Sequence, residues 1–569
     1  MLLKIESFLK KLSEANKMKI IQIADKALEG RIQAFSSIEL DYGNPINWHL
    51  NPITGVEVDK NIKWYRIPDF DVTRGDIKVI WEASRFTHFF YFARAYMITK
   101  DEKYYNAFSQ QLDNWLKENP YSYGPNYKCG QEATLRMINS LMAYSVFKAY
   151  GLTKNNDKEN LKELVRGSYK KVLSNFFYAH KCIKNNHTLS EITGLIIGAW
   201  CSDDKPSLVN AFNLMEKEIH NQFMDDGGYI QYSFNYQRFA LQIMELVLKM
   251  SNKMGFCLSE HSLDLIRKSA LMMYQLQDVT GDVPNYGSND GALIFPVTAC
   301  GYRDFRPTLN TIYILTQGER MYEPGIYDEE ALWFSNKDLN KLKLCKVPWE
   351  PIGFKKSGLY TLRHKEGFLM IVLQRFKSRP SHMDQLHIDL WHKGLNILCD
   401  SGTYSYASKL QKELSYTKGH NTVKIPGIDQ MDKRGAFLVT RWTMSKDIKY
   451  DKKSFTGTMV SKNGYEHTRS ITQVTNGYEI LDQVKYDGEK CEFYFHTPCY
   501  VRIISGGFQL INKGKLICEI TTTDAEDICV TNAFRSLYYL KKEKINCVIA
   551  KCKIIDGKCN IRFDIKFFD

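Results

Sequence analysis

A change of hydrophobic period near residue 345 constrains this chain more than any other feature. In DEKYYNAFSQQLDNWLKENP, Tyr104, Phe108, Leu112 and Trp115 recur as one helical stripe, and Asn119-Pro120 ends it. The same spacing runs through IWEASRFTHFFYFARAYMI, GQEATLRMINSLMAYSVFKAYG and QRFALQIMELVLKMSNKMG, with turns such as ITKDEK and GLTKNNDK between such stretches. Helices joined by short turns form antiparallel hairpins, and many hairpins in one domain predict a curved or closed helical ring. After KVPWEPIGFKKSGLY the runs shorten, Gly and β-branched residues rise, and Asn476-Gly477 marks a hairpin turn between RSITQVT and YEILDQVKY. The reading is a helical domain over 1–345 and an antiparallel β-sandwich over 346–569.

Size and charge narrow the partners. At 569 residues the chain exceeds one ordinary core. Its 77 basic against 64 acidic residues give +13, which suits a polyanion, either nucleic acid or an acidic polysaccharide. A solvated lysine-rich surface fits the same charge, and no nucleic-acid module is recognisable, which ranks that partner low. The 14 cysteines fall singly, without a CxxC pair, as small core residues of a reducing compartment do. MLLKIESFLKKLSEANKMK alternates apolar and charged residues instead of forming a signal-peptide core, and ITGLIIGAW is too short to cross a bilayer. The expectation is a cytoplasmic protein with no membrane span, or a periplasmic or extracellular one if an export signal was removed. Oligomeric state is not legible.

Four stretches could carry chemistry. NNHTLSE holds Asn185, Asn186, His187 and Glu191 between helical segments, where Asn-Asn also caps well. In DDGGYIQYSFNYQRF, Gly227-Gly228 force a loop, and Tyr232, Ser233 and Tyr236 follow at the mouth of the next helix. SHMDQLHIDLWHKGLNILCDSG concentrates three histidines and three aspartates, and TKGHNTVKI adds His420 and Asn421. Within the third, Leu386, Ile388 and Leu390 fall on one strand face and His387, Asp389 and Trp391 on the other, before a turn at Lys393-Gly394. His382 and Asp384 precede the strand on a loop, where chemistry is better placed. His387 and His392 read as polar-face residues.

In order, these motifs resemble the heparinase II/III-type polysaccharide lyases and related alginate lyases. DIKVIWEASRF and CGQEATLRMIN look like that family's helical signatures, NNHTLSE like its Asn-His site, and DGGYIQYSFNY like its Gly-Gly followed by a tyrosine. RPSHMDQLHIDLWHKGLNILCDSGTYSY and GHNTV look like its β-domain signature. Gln231 and Gln237 stand where many relatives carry Glu and His. The resemblance implies an incomplete (α/α) toroid followed by an antiparallel β-sandwich.

It also implies β-elimination at a uronic acid. The C5 proton of a uronate is weakly acidic, so the neighbouring carboxylate must be hydrogen-bonded while a base removes that proton and an acid protonates the leaving oxygen. By resemblance Asn186, helped by His187, holds the carboxylate, Tyr236 is the acid and for syn elimination also the base, and His382 is the base for anti elimination. A tyrosine lowered from ~10 by a basic pocket would serve. Gln131, Glu132, Arg136 and Gln231 would line the substrate path, Arg136 as a bidentate grip on a carboxylate or sulfate. Asp384, Asp400 and His420 match by position a metal site of some relatives, and mixed O and N ligands suit one structural divalent ion, zinc first. The elimination itself requires no cofactor. Two other readings remain: a glycoside hydrolase on a helical toroid, with Glu132, Glu191 and Asp226 as carboxylates, and a non-catalytic polysaccharide-binding protein.

Overall fold

The computed structural model describes residues 2–435 and 437–568. By contact the chain divides into two units. The first comprises residues 1–222, 238–270 and 291–345, and the second 223–237, 271–290 and 346–569. Two segments expected in the helical domain therefore belong with the β-rich unit, the loop preceding Tyr236 among them. The helix Phe234–Met254 gives its first turn to the second unit.

The first unit is built from helices whose buried faces follow the sequence pattern. In Lys103–Glu118, Tyr104, Tyr105, Phe108, Leu112 and Trp115 are inward and the helix stops before Pro120. Gly130–Ala149, Asn155–Tyr178, Asn186–Cys201 and Lys205–Gln222 follow as hairpins, each packed on the next. The helical reading misses residues 31–76, which hold three short two-stranded sheets, Arg31–Ala34 with Ile38–Asp41 being the longest. Strands this short carry too few residues to show a period. The Phe234–Met254 and Asp328–Phe334 helices bury the Glu245 and Glu330 carboxyls beside one another. Burial pushes Glu330 up to about 7 and Glu245 well above the carboxylate range.

The second unit stacks antiparallel sheets. One has the order Leu395–Leu398, Ile388–His392, Gly367–Val372, Leu359–His364, Gly353–Phe354. An eight-stranded sheet runs from Met444–Tyr450 to Tyr500–Ile504, and a four-stranded one contains Lys490–Thr497 and Lys541–Lys553. Alternation sets the core: along Lys558–Phe567, Cys559, Ile561, Phe563, Ile565 and Phe567 point inward, joining Leu386, Ile388 and Leu390. The Asn476-Gly477 hairpin forms, shifted by one residue. Val474 pairs with Gly477, which puts Thr475 and Asn476 in the loop. A Cβ on Gly477 would lie 1.7 Å from the Ile565 carbonyl oxygen, so the glycine serves close strand approach as well as the turn.

Candidate functional site

Asn186 is positioned by its neighbour. Asn185 caps the helix Asn186–Cys201, its side-chain oxygen accepting from the His187 backbone N–H at 3.0 Å. The buried Asn186 amide then donates to Gln131 Oε1 at 2.8 Å, which also accepts from the Ser190 hydroxyl at 3.1 Å. His187 is part-exposed, with Nδ1 3.7 Å from Cys129 Sγ. These groups form one polar cluster in the first unit.

Two expected substrate contacts are engaged within the protein. Glu132 is buried and accepts from Arg85 Nε and Nη2 at 2.6 and 2.8 Å. Arg136 is fully buried, donating to the Ser84 and Asn126 carbonyls at 3.2 and 2.9 Å, with its guanidinium 4.3 Å above the Trp115 ring. The helix position facing a groove and the one facing the core carry the same Arg code in sequence. Gln231 lies half-buried in the turn before Tyr236. The hydrolase carboxylates are likewise engaged. Asp226 accepts from the Lys356 and Ser357 backbone at 2.6 and 2.9 Å, and Glu191, pushed up to about 8 by burial, accepts from Asn175 at 2.7 Å.

In the second unit, Ser233 Oγ accepts from the Tyr236 backbone N–H at 3.2 Å and fixes the start of the helix. The Tyr236 hydroxyl donates to Asp290 Oδ2 at 3.0 Å and lies 3.0 Å from the Tyr406 hydroxyl. Burial, then the Asp290 charge and Tyr406, raise this phenol well above its ordinary value. The expected lowering by a basic pocket is thus reversed: the groups around the hydroxyl are an acid and a second phenol, and Tyr236 is protonated.

The histidine-rich stretch folds as the strands Ile388–His392 and Leu395–Leu398, turning at Lys393 and Gly394 with φ of 50° and 78°. Both strand faces are buried, so His387 and His392 lie in the interior instead of on a solvated polar face. His387 Nδ1 accepts from the Asn421 N–H at 2.9 Å. His382, Asp400 and His420 offer ligand atoms all within 4.8 Å of one another. His420 Nδ1 is 2.8 Å from Asp400 Oδ2. Burial pushes His382 down to about 3 despite Asp400, so its imidazole is neutral. Burial and then Asp400 act oppositely on His420, the carboxylate prevailing and raising it. The expected trio Asp384, Asp400, His420 is therefore rearranged, with His382 in the group and Asp384 buried beside it.

These residues fit a cation. His382 Nδ1, Asp384 Oδ1, His387 Nε2 and His420 Nε2 are all buried without a hydrogen-bond partner, an arrangement that costs free energy unless something binds them. A buried His-Asp-His group can hold a metal. Its two chain segments are tied by a residue the sequence reading missed. Arg469 donates to the Leu386 and Asn421 carbonyls at 2.6 and 2.8 Å, and its charge is met by Asp482, which accepts at 2.7 and 2.9 Å and also bonds His467 at 2.7 Å. Asp290 and Tyr406 were missed too. SNDG reads as a turn, and Tyr406 ends the quoted β-domain signature, where neither spacing nor residue type separates it from Tyr404.

A unit of helical hairpins followed by antiparallel sheets is the architecture of the (α/α) toroid plus β-sandwich class. Within that class the family is specific. The heparinase II/III N-terminus model matches residues 6–286 and the heparinase II/III-like C-terminal model residues 346–562. The chain belongs to the heparinase II/III-like family. A heparin-sulfate lyase from Bacteroides stercoris is 22% identical over 520 residues, 84% of this chain and 69% of that protein. Among solved structures, a heparinase III superposes with a TM-score of 0.70 at 15% identity, over 98% of this chain and 85% of that one. A heparan sulfate lyase from Pedobacter heparinus superposes at 0.57 and 16% identity, over 99% and 84%. At such identities the structures establish the fold.

Proposed function

We propose that this protein is a polysaccharide lyase that cleaves a uronate-containing acidic polysaccharide, glycosaminoglycan-like or bacterial capsular, by β-elimination. The observation that carries the reading is the Tyr236 hydroxyl, kept protonated and aimed by two oxygen partners. A protonated phenol can give its proton to a departing glycosidic oxygen, which is what elimination requires of an acid. The family relative named a heparin-sulfate lyase supports the same chemistry.

Asn186 is the group we assign to the uronate carboxylate, since a neutral amide binds it without titrating. His187 stands next to it. His382 is neutral, as a base must be, but buried, and we assign it to the brace of its loop. The ion we assign to His382, Asp384, Asp400 and His420 is zinc, which accepts mixed imidazole and carboxylate ligands. It would hold the loop and the second hairpin strand in register.

Incubation with heparan sulfate, chondroitin sulfate, hyaluronan, alginate and capsular uronate polymers tests the reading. An ultraviolet-absorbing unsaturated uronate end is expected. Saturated ends that incorporate oxygen from labelled water would establish hydrolysis instead.

A further inference from the structure

The difficulty raised by the site is the base. Removing a C5 proton needs an acceptor, and the Tyr236 hydroxyl is held in its protonated form. We infer that Asp290 is the proton acceptor that lets Tyr236 take the C5 proton without first becoming a free tyrosinate, and that Tyr406 holds the hydroxyl in line. This rests on the lyase reading of the same site and assigns a role to Asp290, which lies outside the quoted motifs, and to Tyr406, the last residue of the β-domain signature.

The geometry is specific. The Tyr236 hydroxyl has Asp290 Oδ2 at 3.0 Å and the Tyr406 hydroxyl at 3.0 Å. The other Asp290 oxygen, Oδ1, accepts from Asn235 Nδ2 at 3.1 Å, which favours the rotamer that faces the phenol. The segment bearing Asp290 is laced to the start of the tyrosine helix. Phe234 N–H donates to the Tyr286 carbonyl at 3.1 Å and the Ser233 hydroxyl to the Ser288 carbonyl at 2.5 Å. Gly287, at φ 74°, permits this approach, for a Cβ there would lie 2.0 Å from the Tyr232 carbonyl oxygen. Tyr406 is fixed from behind, its backbone N–H donating to the Tyr539 hydroxyl at 3.0 Å.

The proton count closes. As the C5–H bond breaks, its proton passes to the Tyr236 oxygen while the hydroxyl proton of Tyr236 moves to Asp290. The C5–H electron pair becomes the C4–C5 double bond, and the C4–O bond pair leaves with the glycosidic oxygen. Tyr236 then gives that oxygen a proton and recovers its own from Asp290. The substrate's C5 proton ends on the leaving group, and both side chains return to their starting states.

Asp290→Asn tests it, because an amide oxygen still accepts the Tyr236 hydrogen bond but cannot hold the proton. With heparan sulfate, or whichever polymer of the panel the wild type cleaves, kcat should fall by roughly 10²–10⁴ while KM stays within about threefold, the range of one acid–base group acting in the transition state. Asp290→Glu should recover part of the rate, and Tyr406→Phe should lower kcat by about tenfold. Melting temperature should be unchanged in all three. A wild type that cleaves and an Asp290→Asn variant with kcat within threefold of it would overturn the relay and leave the lyase reading standing. So would a rate loss that Asp290→Glu does not relieve at all. If the wild type gives no unsaturated product from any polymer, the lyase reading falls and the relay with it.

Discussion

Replacing Arg136 by Ala should cost stability and leave substrate affinity alone. Its guanidinium makes two hydrogen bonds to carbonyls, worth ~1.5–3 kcal/mol each for a charged donor. Stacking 4.3 Å above Trp115 in a dry site adds about 2 kcal/mol. Against this, burial strains the charge, lowering the group from 12.5 to about 10, and its removal relieves about 3 kcal/mol at ~1.36 kcal/mol per pKa unit. The net loss is roughly 2–5 kcal/mol, or roughly 5–15 °C in the melting of the helical unit. Arg136→Met, which keeps the apolar stem over Trp115, should recover part of it. Differential scanning calorimetry of the three proteins, beside Michaelis kinetics on a cleaved polymer, measures both quantities. A variant with unchanged Tm and a tenfold higher KM would refute the argument and return Arg136 to the substrate path.

Three further outcomes are expected. Tyr236→Phe should lower kcat by roughly 10²–10⁴ with little change in KM, read by initial rates of unsaturated product, since the ring remains and only the proton carrier is lost. Elemental analysis should find about one equivalent of metal per chain, and exhaustive chelation should lower Tm in the wild type but not in His420→Ala, by linkage of binding to folding. Glu330, raised from 4.5 to about 7, stabilises the helical unit fully below pH 4.5 and loses that contribution, about 3 kcal/mol, as pH rises to about 7. Glu330→Gln, which can still accept from Thr308, should flatten this part of a pH–stability profile.

Much of the architecture was legible because burial imposes period. The Tyr104-to-Trp115 stripe and the alternation along Lys558–Phe567 each repeat often enough to declare a helix or a strand. The strands of residues 31–76 are too short for that. At the candidate site, the sequence singles out the residues near Gly-Gly, Asn-Asn and clustered His because those types are uncommon in element interiors. What sequence could not give was direction. Arg136 and Glu132 stand on a helix that is buried on all sides from Gly130 to Ser140, and both charged groups meet partners inside the protein. Nor could it give the sign of the Tyr236 shift, which depends on Asp290, 54 residues away along the chain. The membership of His382 in the group around Asp400 likewise depends on how a loop folds back, which no spacing encodes.

The interleaving of the two units along the chain has a consequence for biosynthesis. Residues 223–237 leave the ribosome with the helical segments, yet their unit is completed only by residues from 346 onward. Tyr406 follows Tyr236 by 170 residues, and Ser536, whose carbonyl accepts from Asn285, follows that residue by 251. At ~5–20 residues per second the Tyr236 loop waits roughly 10–30 s for its phenol partner and still longer for the strand that anchors Asn285. During that interval the nascent chain has its Asn186 cluster but not the Tyr236–Asp290–Tyr406 group proposed to handle the proton. Competence therefore arrives late in translation, with the second unit's closure.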